Sequence, residues 1–294
     1  MPSSLCSSSH NTLPSSEALL HLLLAGLFSE QLVPTGDILD VGANTGEMAC
    51  FYASLDRTRT VHALEPSQRL HSKLQVRYKD VENIAIMRAG LGSADGSSSG
   101  QDKHSKGNDM DGREISLGYA RQARDTPFPV HRLDSLYRSR GALAGRKLGF
   151  WHLDVEGFEM HALRGAPDTL ARDAPLLAVE VHVHHNRSFT TELLDTVFAL
   201  GYKVYMADEV CGRLDCRNFL AAPAHLAARW RSRSTSFKLA LVAGAIFPIE
   251  TVDDLFQLTP STVDGLNSSC TLRHHRSPIT NTISRRWVEG RLGR

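Results

Sequence analysis

Ile38-Leu39-Asp40-Val41-Gly42-Ala43-Asn44-Thr45-Gly46 is the stretch that decides the fold. An apolar step runs into a turn of small residues, and Glu47 to Ser54 then reads as a helix. A second apolar run, Val61-His62-Ala63-Leu64, ends on Glu65. A strand that stops, a turn that lets backbone approach a ligand, and an acid closing the next strand together describe a nucleoside-cofactor pocket in a parallel sheet. Gly42 and Gly46 lack Cβ and accept positive φ. Asn44 between them is the residue that best tolerates a left-handed conformation.

Outward from this turn, short apolar runs alternate with amphipathic stretches from Gly36 onward, the pattern of βα units. Strands are predicted at Asp37 to Val41, Thr60 to Glu65, Ile84 to Ala89, Gly149 to Asp154, Leu176 to Val181, Tyr202 to Met206 and Arg217 to Ala221. Helices are predicted at Glu47 to Ser54, Gln68 to Tyr78, Phe158 to Ala171 and Thr191 to Leu200. The α/β domain therefore covers residues 36–223. Residues 1–35 form an N-terminal segment whose apolar patch, Leu19 to Phe28, predicts an amphipathic helix with Ser15 or Ser16 as N-cap. The polar stretch Ser93 to Gly112 has too few apolar residues to pack a core, so a mobile loop at the carboxyl edge of the sheet is expected. Residues 224–294 form a C-terminal extension. Its patch Phe237 to Phe247 is expected to add one strand or helix, and its tail from Ser261 to be disordered.

Composition narrows the partners. Lys and Arg total 33 against 32 Asp and Glu, so no global field recruits nucleic acid or an anionic membrane, and 7% aromatic residues offer no base-stacking surface. A small molecule is the expected partner. The first Lys or Arg is Arg57, and no apolar run approaches the roughly twenty residues of a membrane span, so neither a secretory signal nor a span is expected. The 5 cysteines, Cys6, Cys50, Cys211, Cys216 and Cys270, are odd in number and scattered, which suits free thiols in a reducing, cytoplasmic setting. Cys211 and Cys216 match no zinc spacing, and no metal site is expected.

The turn discriminates among cofactors. No Gly-Lys-Ser/Thr follows it, which excludes a triphosphate-binding P-loop. In a dinucleotide fingerprint the three key positions would be Gly42, Asn44 and Glu47, and the charge of Glu47 opposes a pyrophosphate. A zwitterionic amino-acid cofactor carrying adenosine fits better, because its ammonium can meet acidic groups and its one carboxylate needs few amides.

This stretch, together with His62-Ala63-Leu64-Glu65-Pro66-Ser67, Leu133-Asp134-Ser135-Leu136, Leu153-Asp154-Val155-Glu156-Gly157-Phe158-Glu159 and Leu163-Arg164-Gly165-Ala166, resembles the FkbM family of S-adenosylmethionine-dependent methyltransferases, which act mostly on hydroxyl groups. The likeness continues through Leu177-Ala178-Val179-Glu180-Val181-His182 and Gly201-Tyr202-Lys203-Val204-Tyr205. It implies a Rossmann-like three-layer α/β sandwich of the class I methyltransferase type, with a seven-stranded, mostly parallel sheet of order 3-2-1-4-5-7-6 whose last strand is antiparallel. It also implies that Asp40, Gly42, Asn44, Gly46, Glu65 and Asp154 hold S-adenosylmethionine. Glu65 would take the ribose hydroxyls, or else merely cap the Pro66-Ser67 turn. Asp40 would meet the cofactor ammonium or the turn amides. Where the family usually carries Lys before Ile-Asp, this chain has His152 before Leu-Asp, which weakens a cationic role there.

Removing a proton from a hydroxyl acceptor requires a base. Asp154 and Glu156 lie two apart at a strand end and share a face if it stays extended. His182 shares a face with Glu180, with His184 and His185 beyond it, so Asp154, Glu156 and His182 are the catalytic candidates. Helix capping is the alternative role for Glu156 and Glu159. The expected reaction is O-methylation of a small molecule or glycan. A cofactor-binding protein without turnover and a nicotinamide oxidoreductase are its rivals.

Overall fold

In the computed structural model, which describes Cys6 and residues 18–98, 127–138, 140–155, 157–183, 187–208 and 216–258, the βα alternation becomes one large sheet flanked on both faces. The elements in chain order are α1 (Ala18–Ser29), β1 (Asp37–Val41), α2 (Glu47–Leu55), β2 (Val61–Leu64), α3 (Gln68–Arg77), β3 (Ile84–Met87), β4 (Gly90–Leu91) and β5 (Gly96–Ser98). Next come β6 (Phe128–His131), α4 (Leu133–Tyr137), β7 (Leu148–Leu153), α5 (Glu159–Arg164), α6 (Pro167–Asp173), β8 (Leu176–His182), α7 (Arg187–Ala199) and β9 (Tyr202–Ala207). The described chain ends through β10 (Cys216–Pro223), α8 (Ala224–Arg233), α9 (Thr235–Val242), β11 (Ile246–Ile249) and α10 (Val252–Leu258).

The sheet order is β3-β2-β1-β7-β8-β10-β9-β11. Its first seven positions reproduce the expected 3-2-1-4-5-7-6, with β10 antiparallel to both β8 and β9. The strand count is corrected to eight, because β11 pairs antiparallel with β9 at the edge. Pro248 within β11 is compatible with that place, since an edge strand can do without one ladder donor.

Alternation along the strands divides the core into two layers. Leu39, Val41, Trp151, Leu153, Leu177 and Val179 face one way, against α4, α5, α6, α7 and α10. Ile38, Phe150, Leu176, Ala178 and Leu220 face the other, against α1, α2, α3, α8 and α9. The N-terminal segment and the C-terminal extension meet in this second layer. Trp230 Nε1 donates to the Leu32 carbonyl at 2.8 Å. The Glu30 carboxylate accepts from Ser234 Oγ, from the amides of Thr235 (3.1 Å) and Ser236 (2.9 Å), and from Ser236 Oγ (3.0 Å), so it caps α9 from another element. Glu30→Ala is expected to cost about 1–2 kcal/mol, because these donors turn to water while α9 loses an acid at its positive end. Thermal melts of the variant check this, and an unchanged midpoint would remove the cap from the account.

Four expectations change. Cys6 and Cys50 form a disulfide, which corrects the reading of five free thiols and removes the cysteine argument for a reducing, cytoplasmic setting. The single helix expected at Phe158 to Ala171 is two, because Pro167 takes the first position of α6, and the residue before a proline disfavours helical geometry. Asp134 caps this new start, accepting from the amides of Thr169 (2.9 Å) and Asp168 (3.2 Å). The stretch from Ser93 is not all loop: β5 joins β4 and β6 in a small sheet of order β4-β6-β5, while its continuation through Gly112 lies outside the described residues. The patch Phe237 to Phe247 contributes both helix and strand, in α9 and β11. The N-cap candidates Ser15 and Ser16, the tail from Ser261, and Cys211 and Cys270 also lie outside the described residues.

Candidate cofactor site

The turn after β1 has the conformation its residues predict. Gly42, Asn44 and Gly46 have φ of 91°, 48° and 80°. The amides of Gly42 and Ala43 both donate to the Leu64 carbonyl at 3.0 Å, and that of Gly46 to the Ala43 carbonyl at 2.6 Å. These bonds curl the backbone against the end of β2 and leave the first amides of α2 for an anion. Gly46 has a packing role as well. A Cβ there would collide with Leu74 and Tyr78, and Tyr78 Oη donates to the Gly46 carbonyl at 2.9 Å. Its missing side chain therefore lets α3 approach the turn.

Glu65 ties the two strand ends together. Its Oε2 accepts from the Asn44 amide at 2.9 Å and its Oε1 from the Ser67 amide at 2.8 Å. The capping role weighed for it is thus present, and each oxygen keeps acceptor capacity for a hydroxyl. Burial raises its carboxyl to about 7 against the lowering effect of the two amides, with nearby Asp40 adding to the rise.

Asp40 and His152 stand directly opposite in the β1/β7 register, and His152 Nδ1 lies 2.7 Å from Asp40 Oδ1. Both are buried. The Tyr52 ring meets the imidazole edge-on at 5.5 Å, and His21 from α1 closes the cluster, its Nε2 2.9 Å from Met48 Sδ. Burial, with a smaller contribution from His152, lowers His21 to about 3. Sequence reasoning missed this use of His152, because the pairing exists only once the register of β1 against β7 is known.

Asp154 donates its amide to the Val41 carbonyl at 3.1 Å, so it emerges beside Gly42. Leu153 pairs with Val179, which sets Asp154 next to Glu180 on the neighbouring strand. His182 lies two residues further along β8, about 7 Å beyond that level. Glu156 lies outside the described residues. Glu159, by contrast, is fully enclosed: its Oε1 accepts from the amides of Val155 (3.1 Å) and Gly157 (3.2 Å), clamping the loop after Asp154. Burial lifts its carboxyl to about 7, with the charge of Asp154 as a smaller cause.

Among the described residues no group of three or more His, Cys, Asp or Glu is arranged to hold a metal ion, and no helix is long and apolar enough to cross a membrane. A cavity of about 620 Å³ lies between α7 and the β11–α10 corner, lined by Arg187, Thr191, Asp195, Phe198, Thr251 and Phe256. None of the turn residues reaches it.

A doubly wound sheet whose order reverses beside β1, with a positive-φ turn at that point and an acid closing β2, defines a Rossmann-like domain. The profile of the Methyltransferase FkbM domain matches residues 40–204, more than half of the chain. The protein belongs to that family. Among solved structures it is similar to the methyltransferase FkbM of Methylobacillus flagellatus KT, at 19% identity and a TM-score of 0.44, over 63% of this chain and 43% of that one. The match thus spans less than half of that protein. It is also similar to a SAM-dependent O-methyltransferase of Thermotoga maritima (13% identity, TM-score 0.38, 76% of this chain and 72% of that one). Aeropyrum pernix fibrillarin, solved with S-adenosyl-L-methionine bound, is similar at 14% identity, a TM-score of 0.41, and 70% and 74% coverage. No curated protein sequence matches the chain.

Proposed function

We propose that the protein is an S-adenosylmethionine-dependent methyltransferase acting on a hydroxyl of a small molecule or glycan. The observation that carries this reading is the Glu65 carboxylate, fastened to the turn through Asn44 and to the next helix through Ser67 with acceptor capacity left on both oxygens. The donor set suits the cofactor. Glu65 would accept the ribose hydroxyls, the first amides of α2 would meet the carboxylate, and the buried Asp40 would face the ammonium. The cofactor supplies a methyl group activated by a sulfonium. The chain's own part is to hold the acceptor in line, exclude water and take its proton.

Asp154 begins beside the turn, and Glu159 fixes the loop behind it. Asp154, with Glu156 and His182, is our choice for orienting the acceptor hydroxyl and removing its proton. Isothermal calorimetry with S-adenosylmethionine tests the pocket. Glu65→Gln is expected to weaken binding by about tenfold or more, the cost of a lost charge-assisted pair, while a melting curve reports any effect on the fold. Equal affinity in variant and wild type would sink the assignment. Radiolabelled methyl transfer to a panel of hydroxylated acceptors tests the reaction, and binding without turnover across it would favour the silent alternative. Binding of NAD in place of S-adenosylmethionine would revive the oxidoreductase.

A further inference from the structure

Asp40 is 1% exposed, yet its two oxygens are unlike. Oδ1 is held by His152 Nδ1, whereas Oδ2 is fully buried and has no hydrogen-bond partner among the described residues. A buried carboxylate oxygen with nothing to accept from is costly, and such an atom calls for an explanation. The neighbouring Glu65 turns its two oxygens to the amides of Asn44 and Ser67, and the proximity of Asp40 raises its carboxyl. A donor that also carries positive charge would satisfy both the oxygen and the accumulation of acid at this strand end.

We infer that His152 is a positioning residue, whose imidazole locks the Asp40 carboxylate through Oδ1 so that Oδ2 is presented to a primary ammonium, that of the amino-acid part of the bound cofactor. This rests on the proposal that the turn holds S-adenosylmethionine. The lock is built in three ways. The facing positions on β1 and β7 put both side chains on one face of the sheet. The Tyr52 ring at 5.5 Å and the burial of the imidazole restrict its rotation. The carboxylate, anchored at one oxygen, cannot swing toward the turn amides, and those of Gly42, Ala43 and Asn44 are already engaged elsewhere.

Two ligands separate positioning from bulk structure. S-adenosylhomocysteine carries the ammonium, whereas 5′-methylthioadenosine keeps adenosine and ribose and lacks the amino-acid part. His152→Asn retains a donor near the position of Nδ1, and His152→Gln, also polar, carries its donor past Asp40. By calorimetry His152→Gln is expected to weaken S-adenosylhomocysteine about tenfold to a hundredfold, the range of a charge-assisted hydrogen bond. It should leave 5′-methylthioadenosine within about twofold, and His152→Asn should restore S-adenosylhomocysteine to within about threefold of wild type. Equal weakening of both ligands, or equal behaviour of the Asn and Gln variants, would overturn the positioning role. Failure of the wild-type protein to bind S-adenosylhomocysteine at all would instead overturn the cofactor reading and this inference with it, so the two failures are read from different samples.

Discussion

Cys50→Ser is expected to lower the free energy of unfolding by about 4 kcal/mol, the value the chain-entropy relation gives for a cross-link over a sequence separation of 44 residues. That is a large part of the 5–15 kcal/mol typical of a domain. Both cysteines are buried in the layer formed by α1, α2 and the sheet, so the reduced thiols would stay packed but lose the covalent constraint. Cys50 lies in α2, just past the turn, and its amide donates to the Gly46 carbonyl at 2.9 Å. The cross-link therefore anchors the start of the chain to the helix that fronts the candidate cofactor site. Urea denaturation of wild type, Cys6→Ser and Cys50→Ser, each with and without dithiothreitol, checks the prediction. Reductant should bring the wild type to the level of both variants and leave the variants unmoved. A wild-type midpoint indifferent to reductant would show that the bond is not formed in solution.

What the sequence made legible follows from where the physics is local. The turn 42–46 was readable because positive φ at Gly42 and Gly46, and its tolerance by Asn44, are properties of single residues. The central strands were readable because apolar runs bounded by turns carry their own signal. Other features needed information from afar. β4 and β5 are Gly90–Leu91 and Gly96–Ser98, too short and too polar to show periodicity, and they exist because β6 arrives to pair with them. The Cys6–Cys50 pairing depends on α2 folding back beneath the N-terminal segment, which cysteine spacing cannot report. His152 looked like a lost lysine in a motif. Across the β1/β7 register it proved to be the partner of Asp40. Glu159 similarly read as a charge favouring a helix dipole, whereas its carboxylate clamps the backbone of the loop before that helix.

Affinity for the cofactor and the contribution of Glu65 to the stability of the ligand-free protein are expected to move in opposite directions with pH, whereas buried His21, lowered to about 3, takes stability away as pH falls below 6.5. Glu65 and Glu159 both have carboxyls raised by burial to about 7 from an ordinary 4.5. Between those values the folded chain holds protons that the unfolded chain releases. The resulting stabilisation is complete below about 4.5 and is lost as pH rises through 7, on the order of 3 kcal/mol for each group. Ribose hydroxyls are donors, so they favour the ionised form of Glu65. Binding of S-adenosylhomocysteine should accordingly tighten about tenfold per pH unit up to 7 and level off above it, where Glu65 is ionised before the ligand arrives. Calorimetric titrations and melting curves from pH 5.5 to 8.5 test both arms. Glu65→Gln removes the titrating group at the proposed ribose contact, so its affinity profile should flatten while the Glu159 share of the stability profile persists. If wild-type affinity does not tighten as pH rises to 7, or if Glu65→Gln keeps the wild-type affinity profile, Glu65 is not the group that meets the cofactor.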